Sequence, residues 1–301
     1  MKVLCAVDGS EFSQWAIEAI GALGRSALSS VTLLHVADTR HLKAVGAPHV
    51  ATYRGAKAAL EKSGEEILRH AANRLEVALS QSAIRPRTVV RTLLQQGSPT
   101  STIVQRAAQE RSDLIVIGTR GLSDIKGFLL GSIAKKVASL ANCPVLVVKQ
   151  PMKSAQRILL AVDESKYSRR AVKFLRSGIL PDTATISIFT SAVTPITDLA
   201  ARHLSEEQIE KLNEPIMERA DALVAKMRNE FIKDGYTVTT EVQLNHVTDT
   251  IIKIATFNQP DMLVVGSRGL STRERLQLGS VSETLLKYAP CSVLIVRGAG
   301  T

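Results

Sequence analysis

The sequence predicts an α/β protein built as two repeated domains, each a five-stranded, mostly parallel sheet with helices on both faces. Three observations carry this. The chain repeats itself segment by segment. Apolar runs of strand length alternate with amphipathic helical stretches, the pattern of a parallel sheet covered on both sides. The apolar residues are mainly Ala, Val, Ile and Leu with only 4% aromatics, a set suited to doubly buried strands and to the helices over them. At 301 residues and 45% hydrophobic, the chain can bury two ordinary cores.

The repeat is direct. Val3-Leu4-Cys5-Ala6-Val7-Asp8-Gly9-Ser10 returns as Ile158-Leu159-Leu160-Ala161-Val162-Asp163-Glu164-Ser165, an offset of 155. Asp113-Leu114-Ile115-Val116-Ile117-Gly118-Thr119-Arg120-Gly121 returns as Asp261-Met262-Leu263-Val264-Val265-Gly266-Ser267-Arg268-Gly269, an offset of 148. A seven-residue length difference therefore falls mid-repeat, expected between Thr39 and Thr52. Domains are expected over residues 1–150 and 155–298, joined by a short polar linker, Gln150 to Ala155.

Within the first half the order reads strand Lys2–Val7, helix from Ser13, strand Val31–Val36, long helix near Glu65–Ser80, and strand Thr88–Leu93. It continues with a helix from Thr100, strand Asp113–Ile117, a helix from Ser132 and strand Val145–Val148. Gly97-Ser98-Pro99 offers a capping hydroxyl followed by proline at the first helical position. Gly235 stands where a left-handed C-terminal cap belongs after the long helix of the second half. The last strand of each half, Val145–Val148 and Val293–Val296, is an apolar run at a sheet edge. Unprotected edges pair, so the halves are expected to form an intrachain pseudo-dimer through them.

Composition narrows the function classes. The first apolar run stops at Asp8, too short for a signal peptide core, and no run approaches the ~20 residues of a membrane span. The chain therefore reads as cytoplasmic. Cys5, Cys143 and Cys291 are odd in number and lack metal-ligand spacing, and they read as small core residues. Net charge is +10, but Lys166, Arg169, Arg170, Lys226 and Arg228 are scattered among acids rather than blocked. That favours a solvated surface over a nucleic-acid interface.

The chemistry sits in a loop written twice with identical spacing: Gly118-x2-Gly121-x9-Gly131-Ser132 and Gly266-x2-Gly269-x9-Gly279-Ser280. Each loop leaves an apolar strand, so Gly118 and Gly121 are expected to adopt backbone conformations closed to residues with a Cβ, and to let a ligand approach the main chain. Gly131-Ser132 then opens a helix, whose free N–H groups and dipole favour a phosphate. Asp8, ending the first strand, is expected to face the same crevice at the carboxyl ends of the strands. The loop lacks the order of a Rossmann fingerprint and the Lys of a Walker A loop. The spacing points to nucleotide binding.

These residues resemble the ATP-binding branch of the universal stress protein family, once per half and over nearly the whole chain. The resemblance implies an adenine nucleotide alpha hydrolase-like fold, an ATP ligand and Mg²⁺ or Mn²⁺ bridging the phosphates. It also implies pairing of the two last strands within one chain; dimerisation of the whole chain stays open. Carried over, Ala6, Val7 and Asp8 line the ribose and base side, Val36 meets the adenine, and Ile117, Gly118 and Gly121 flank ribose and phosphates. Gly131, Ser132 and Ile133 cradle the phosphates. In the second half the set is Ala161, Val162, Asp163, Val265, Gly266, Gly269, Gly279, Ser280 and Val281.

The second half departs at two points. Glu164 replaces Gly9, and Ser191 replaces Val36. A carboxylate near a phosphate is expected to cost about 1–3 kcal/mol and the lost apolar contact about 1 kcal/mol, making the first site the tighter. Asn245-His246-Val247 also stands in place of Gly97-Ser98-Pro99. No nucleophile–base constellation is present, and His35, His41, His49, His70, His203 and His246 show no ligand spacing. The sequence reading is an ATP-binding stress or regulatory protein whose protein partner is unknown. A slow ATPase or autophosphorylating enzyme is the alternative, and a basic scaffold for nucleic acid or anionic lipid a second.

Overall fold

The structure, a computed structural model, describes residues 1–24, 28–40, 50–80, 88–121, 130–194, 196, 202–244, 247–269 and 278–298. The first half runs β1 (Lys2–Ala6), α1 (Glu11–Ala22), β2 (Ser30–Ala37), α2 (Val50–Ser80), β3 (Val89–Gln96), α3 (Pro99–Glu110), β4 (Leu114–Gly118), α4 (Ser132–Leu140) and β5 (Val145–Val148). The second runs β6 (Arg157–Ala161), α5 (Lys166–Phe174), β7 (Thr185–Ala192), α6 (Glu206–Lys233), β8 (Thr237–Leu244), α7 (Val247–Asn258), β9 (Met262–Gly266), α8 (Ser280–Tyr288) and β10 (Ser292–Val296).

These strands form one ten-stranded sheet in the order β3-β2-β1-β4-β5-β10-β9-β6-β7-β8. Within each half every pair is parallel; only β5 and β10 run antiparallel, Leu146 opposite Leu294. Those two residues are repeat equivalents, so a pseudo-two-fold axis passes between them. The halves are therefore one continuous sheet, and the core follows. Val3, Cys5 and Val7 face a cluster shared by α1, α2, α5 and α6, while Leu4 and Ala6 face one shared by α3, α4, α7 and α8. The alternation is the period of a pleated strand buried on both faces. Leu146 and Leu294 join the first cluster, and Val145, Val147, Val293 and Ile295 the second, so both cores cross the seam. The outer edges, β3 and β8, carry Arg91, Gln95, Thr239 and Glu241 and are largely exposed, which discourages further pairing.

Several local expectations are revised. Helix α1 begins at Glu11, because Ser10 is the cap and accepts from the Ser13 amide at 3.2 Å. Helix α2 extends to Val50, well before Glu65. Gly55 and Gly64 disguised it: a Cβ on Gly64 would lie 2.6 Å from Leu94 Cδ1 and 2.8 Å from His35 Cδ2, so the glycine lets the helix lie close on the sheet. At α3, Ser98 is the cap residue but its hydroxyl makes no capping bond, and Pro99 alone marks the start. Most of the segment expected to hold the length difference, 41–49, lies outside the described residues. Gly235 does follow α6 with φ +90°, its amide donating to Ile232 O at 3.0 Å.

The linker is not simply polar. Met152 and Ala155 are buried, and Ser154 Oγ donates to Asp261 Oδ2 at 3.1 Å. At the two ends of the seam, Lys149 and Arg297 are repeat equivalents that cap helices of the opposite half. Lys149 Nζ donates to Ala289 O at 2.8 Å beyond α8, and Arg297 Nη1 to Ala138 O at 2.7 Å near the end of α4. Cationic groups at helix C-termini satisfy orphan carbonyls and complement the dipole.

Candidate functional site

Each half places a crevice at the carboxyl ends of its strands, where β1 and β4 (or β6 and β9) part because the connections leave in opposite directions. Open α/β sheets form ligand crevices at such a switch point. In the first half a cavity of about 90 Å³ is lined by Ala6, Val7, Asp8, Val36, Ile117, Gly118, Gly121 and Ile133, all expected from the sequence. Gly131 and Ser132 open α4 beside it without lining it, the Gly131 amide donating to Thr119 O at 2.8 Å. In the second half a cavity of about 310 Å³ is lined by Ala161, Val162, Asp163, Val265, Gly266, Gly269, Gly279, Ser280 and Val281, every residue expected there.

The backbone conformations expected of the loop glycines are not the ones they adopt. None of Gly118, Gly121, Gly266 or Gly269 adopts positive φ; Gly9 does, at +83°. What they supply is space. A Cβ on Gly118 would sit 2.6 Å from the carbonyl carbon of Phe12, and one on Gly266 2.8 Å from that of Tyr167, so the start of α1 or α5 lies directly on the end of the strand. A Cβ on Gly121 would meet Asp8 Oδ2 at 2.6 Å, and one on Gly269 would meet Asp163 Oδ2 at 3.0 Å. The same glycine–carboxylate approach is thus built twice.

The aspartates are held from behind. Asp8 Oδ1 accepts from Ser10 N at 3.0 Å and Ser10 Oγ at 2.6 Å. Asp163 Oδ1 accepts from Ser165 N at 3.1 Å and from Ser168 Oγ at 2.5 Å. At the far side, Gly131 and Gly279 are the caps of α4 and α8, and neither helix start receives a side-chain capping bond. Their first-turn N–H groups are the donors that an anion at a helix N-terminus uses. The opposite wall is apolar: Leu34, Val36 and Ile103 in the first crevice, Phe189, Val193 and Ile251 in the second.

Glu164 is not in the second crevice. Its carboxylate forms a two-pronged ion pair with Arg219 on α6, Arg219 Nη2 to Glu164 Oε2 at 2.5 Å. The expected carboxylate–phosphate repulsion therefore has no geometric basis, whereas Ser191 does line the cavity in Val36's place. The Glu164 part of the expected difference between the sites thus loses its support, while the Ser191 part stands.

Arg120 and Arg268 were not singled out as site residues, although both lie inside the duplicated motif and line the cavities. Arg120 lies 4.4 Å over the Phe12 ring, and its Nε is buried with no hydrogen-bond partner among the described residues. Arg268 is 7% exposed; its Nη1 donates to Tyr167 Oη at 3.4 Å. Their recurrence at one motif position was the available signal. His35 is a packed histidine, Nδ1 bonding Val7 O at 2.8 Å, while His41, His49 and His246 lie outside the described residues. Among the described residues no group of His, Cys, Asp and Glu could hold a metal ion by itself, and no helix is long and apolar enough to cross a membrane.

Comparison with known proteins agrees with this architecture. A universal stress protein of Bacillus subtilis is 30% identical over 153 residues, 49% of this chain and 98% of that one. One of Methanocaldococcus jannaschii is 30% identical over 152 residues, 50% of this chain and 84% of that one. The crystal structure of a universal stress protein from Archaeoglobus fulgidus covers 99% of this chain and 96% of its own, with TM-score 0.70 at 21% identity, a likeness of fold. The universal stress protein family matches residues 1–149 and again 154–297. Each of the two matches spans one repeat with its own glycine loop, and this chain belongs to the universal stress protein family as a tandem member.

Proposed function

We propose that the protein is an ATP-binding regulatory protein of the stress response, each strand-end crevice being a nucleotide site. The observation that carries this reading is the glycine–aspartate approach repeated in both halves, Gly121 on Asp8 and Gly269 on Asp163, which sets a carboxylate against the loop backbone in the lining of each cavity. The apolar wall suits a base, the aspartate a ribose hydroxyl, and the uncapped starts of α4 and α8 the phosphates. Arg120 and Arg268 add positive charge at the same edge. Mg²⁺ or Mn²⁺ bound with the nucleotide would neutralise phosphate charge by bridging its oxygens.

The first cavity, about 90 Å³, must widen to admit a nucleotide, whereas the second, about 310 Å³, already reaches the lower range of small-ligand pockets. Holding ATP is separate from cleaving it, which needs a positioned nucleophile. Calorimetric titration of the purified chain with ATP and Mg²⁺ tests the reading, together with mass spectrometry of small molecules released on denaturation. Saturable binding of up to two equivalents is expected. Absence of binding and of any co-purified nucleotide would refute it, and steady turnover of labelled ATP would move the protein to the enzyme class.

A further inference from the structure

We propose that the seam between the halves carries a second kind of site, a cationic cleft for a small organic polyanion such as a phosphorylated metabolite. The cleft has a lining separate from both strand-end crevices, although Arg297 at its edge adjoins Arg268 of the second, and the proposal does not require ATP there. It has a volume of about 800 Å³ and is bounded by the amino ends of β1, β4 and β5 and, from the other half, by α5 and the end of β10. Arg111, Arg170, Lys173 and Arg297 all line it. Among the described residues none of the four is ion-paired with an acid. The single carboxylate in the lining, Asp113, accepts the Lys2 amide at 2.7 Å. Phe174 supplies an apolar wall for the body of a ligand.

The pseudo-two-fold axis supplies an internal control. The positions equivalent to Arg111, Arg170, Lys173 and Arg297 are Gln259, Trp15, Glu18 and Lys149, and Asp261 answers Asp113. Counting these groups and the arginines ion-paired with them, Arg74 on Glu18 and Arg157 on Asp261, one side carries net +3 and the other net +1. The second side is also closed. There the linker runs through, Ser154 Oγ and the Gln156 and Arg157 amides all donating to Asp261 Oδ2 while Met152 and Ala155 are buried. Glu18 is ion-paired with Arg74. Duplication alone would have made two equivalent grooves; one is sealed by the linker, and the other is open and has gathered four cations. Burial beside Arg268 holds the Arg297 guanidinium below its ordinary value, and an incoming anion would relieve that charge crowding.

The test is a calorimetric titration of the full chain with inorganic pyrophosphate at fixed, low ionic strength. Wild type should bind, and the double variant Arg111→Ser/Lys173→Ser should bind at least about tenfold more weakly. Both side chains are exposed, so folding is not at risk. The control Arg69→Ser/Lys226→Ser removes the same charge from exposed positions on α2 and α6 and should stay within about twofold of wild type. Equal losses in the two variants would reduce the effect to net charge and overturn the proposal. So would binding unchanged in Arg111→Ser/Lys173→Ser, which would place pyrophosphate elsewhere, and so would absence of binding to wild type. A single-stranded RNA that displaces pyrophosphate and loses affinity in the same double variant would overturn it in favour of a nucleic-acid surface.

Discussion

Lys135 and Glu283 occupy the same position in the two repeats, and they face each other across the seam with Nζ to Oε1 at 2.7 Å. In a dimer of identical chains, a residue facing its own counterpart across the axis must meet a like charge. Fusion of the halves removed that constraint and allowed opposite charges. Both groups are about half exposed, so the pair contributes specificity more than stability.

Glu283→Lys is therefore expected to destabilise the chain by about 0.2–1 kcal/mol at low salt and by less at high salt. The reversed pair Lys135→Glu/Glu283→Lys should recover most of the loss. Urea denaturation of the four proteins of this double-mutant cycle at two ionic strengths checks it. A swap no more stable than Glu283→Lys would show that the two side chains do not interact in solution.

Lys149 gives a pH signature. Burial lowers its ammonium from 10.5 to about 8. The folded state thus binds fewer protons than the unfolded one between about 8 and 10.5, and stability from this group rises with pH across that window and is flat below it. Desolvation acts oppositely on the thiols: the buried Cys5 and the half-buried Cys143 are pushed to about 12 and the buried Cys291 to about 11, so their contribution falls as pH rises above the ordinary value of 9.0. The wild type minus Lys149→Met difference cancels Cys5 and Cys143 and leaves the lysine with its coupling to Cys291. It should move in favour of wild type by on the order of 2 kcal/mol from pH 7.5 to 10. A flat difference would place Lys149 in water.

The glycines of the loop should separate by what they touch. Gly118→Ala drives a methyl into the Phe12 backbone and should cost about 1–3 kcal/mol of stability. Gly121→Ala meets a carboxylate oxygen that turns aside more easily, so its loss should appear mainly in ATP affinity. Thermal melts and calorimetric titrations of both variants would expose the opposite assignment.

Glu164→Gly should leave affinity at the second crevice unchanged, because the carboxylate already points to Arg219 on α6. Tightening confined to that crevice would mean that the ion pair opens and the side chain reaches the ligand.

Much of the fold was legible in the sequence because it depends on local pattern. The unbroken apolar run of Val3 to Val7, repeated as Ile158 to Val162, the proline of Pro99 and the glycine of Gly235 act within a few residues. Helix α2 was partly missed because Gly64 looks like a breaker in sequence, and only the proximity of His35 and Leu94 shows that it is a packing contact. The loop glycines were legible from spacing, but the backbone conformation expected of Gly118 and Gly121 is not adopted, since a dihedral preference and a steric contact leave the same letter.

By itself the sequence determined the strands, most helices and most of the residues that line the two crevices, all encoded in short segments that are written twice. Tertiary structure alone decided where long side chains end. It turned Glu164 away from the crevice onto Arg219, set Lys135 against Glu283, and sent the linker down one side of the axis only. It also drew Arg111, Arg170, Lys173 and Arg297 into one cleft from distant points of a chain that shows no basic block. The physical reason is range: hydrophobic periodicity is read over a few residues, whereas charge acts through space and depends on which distant segments the antiparallel β5–β10 pairing brings together.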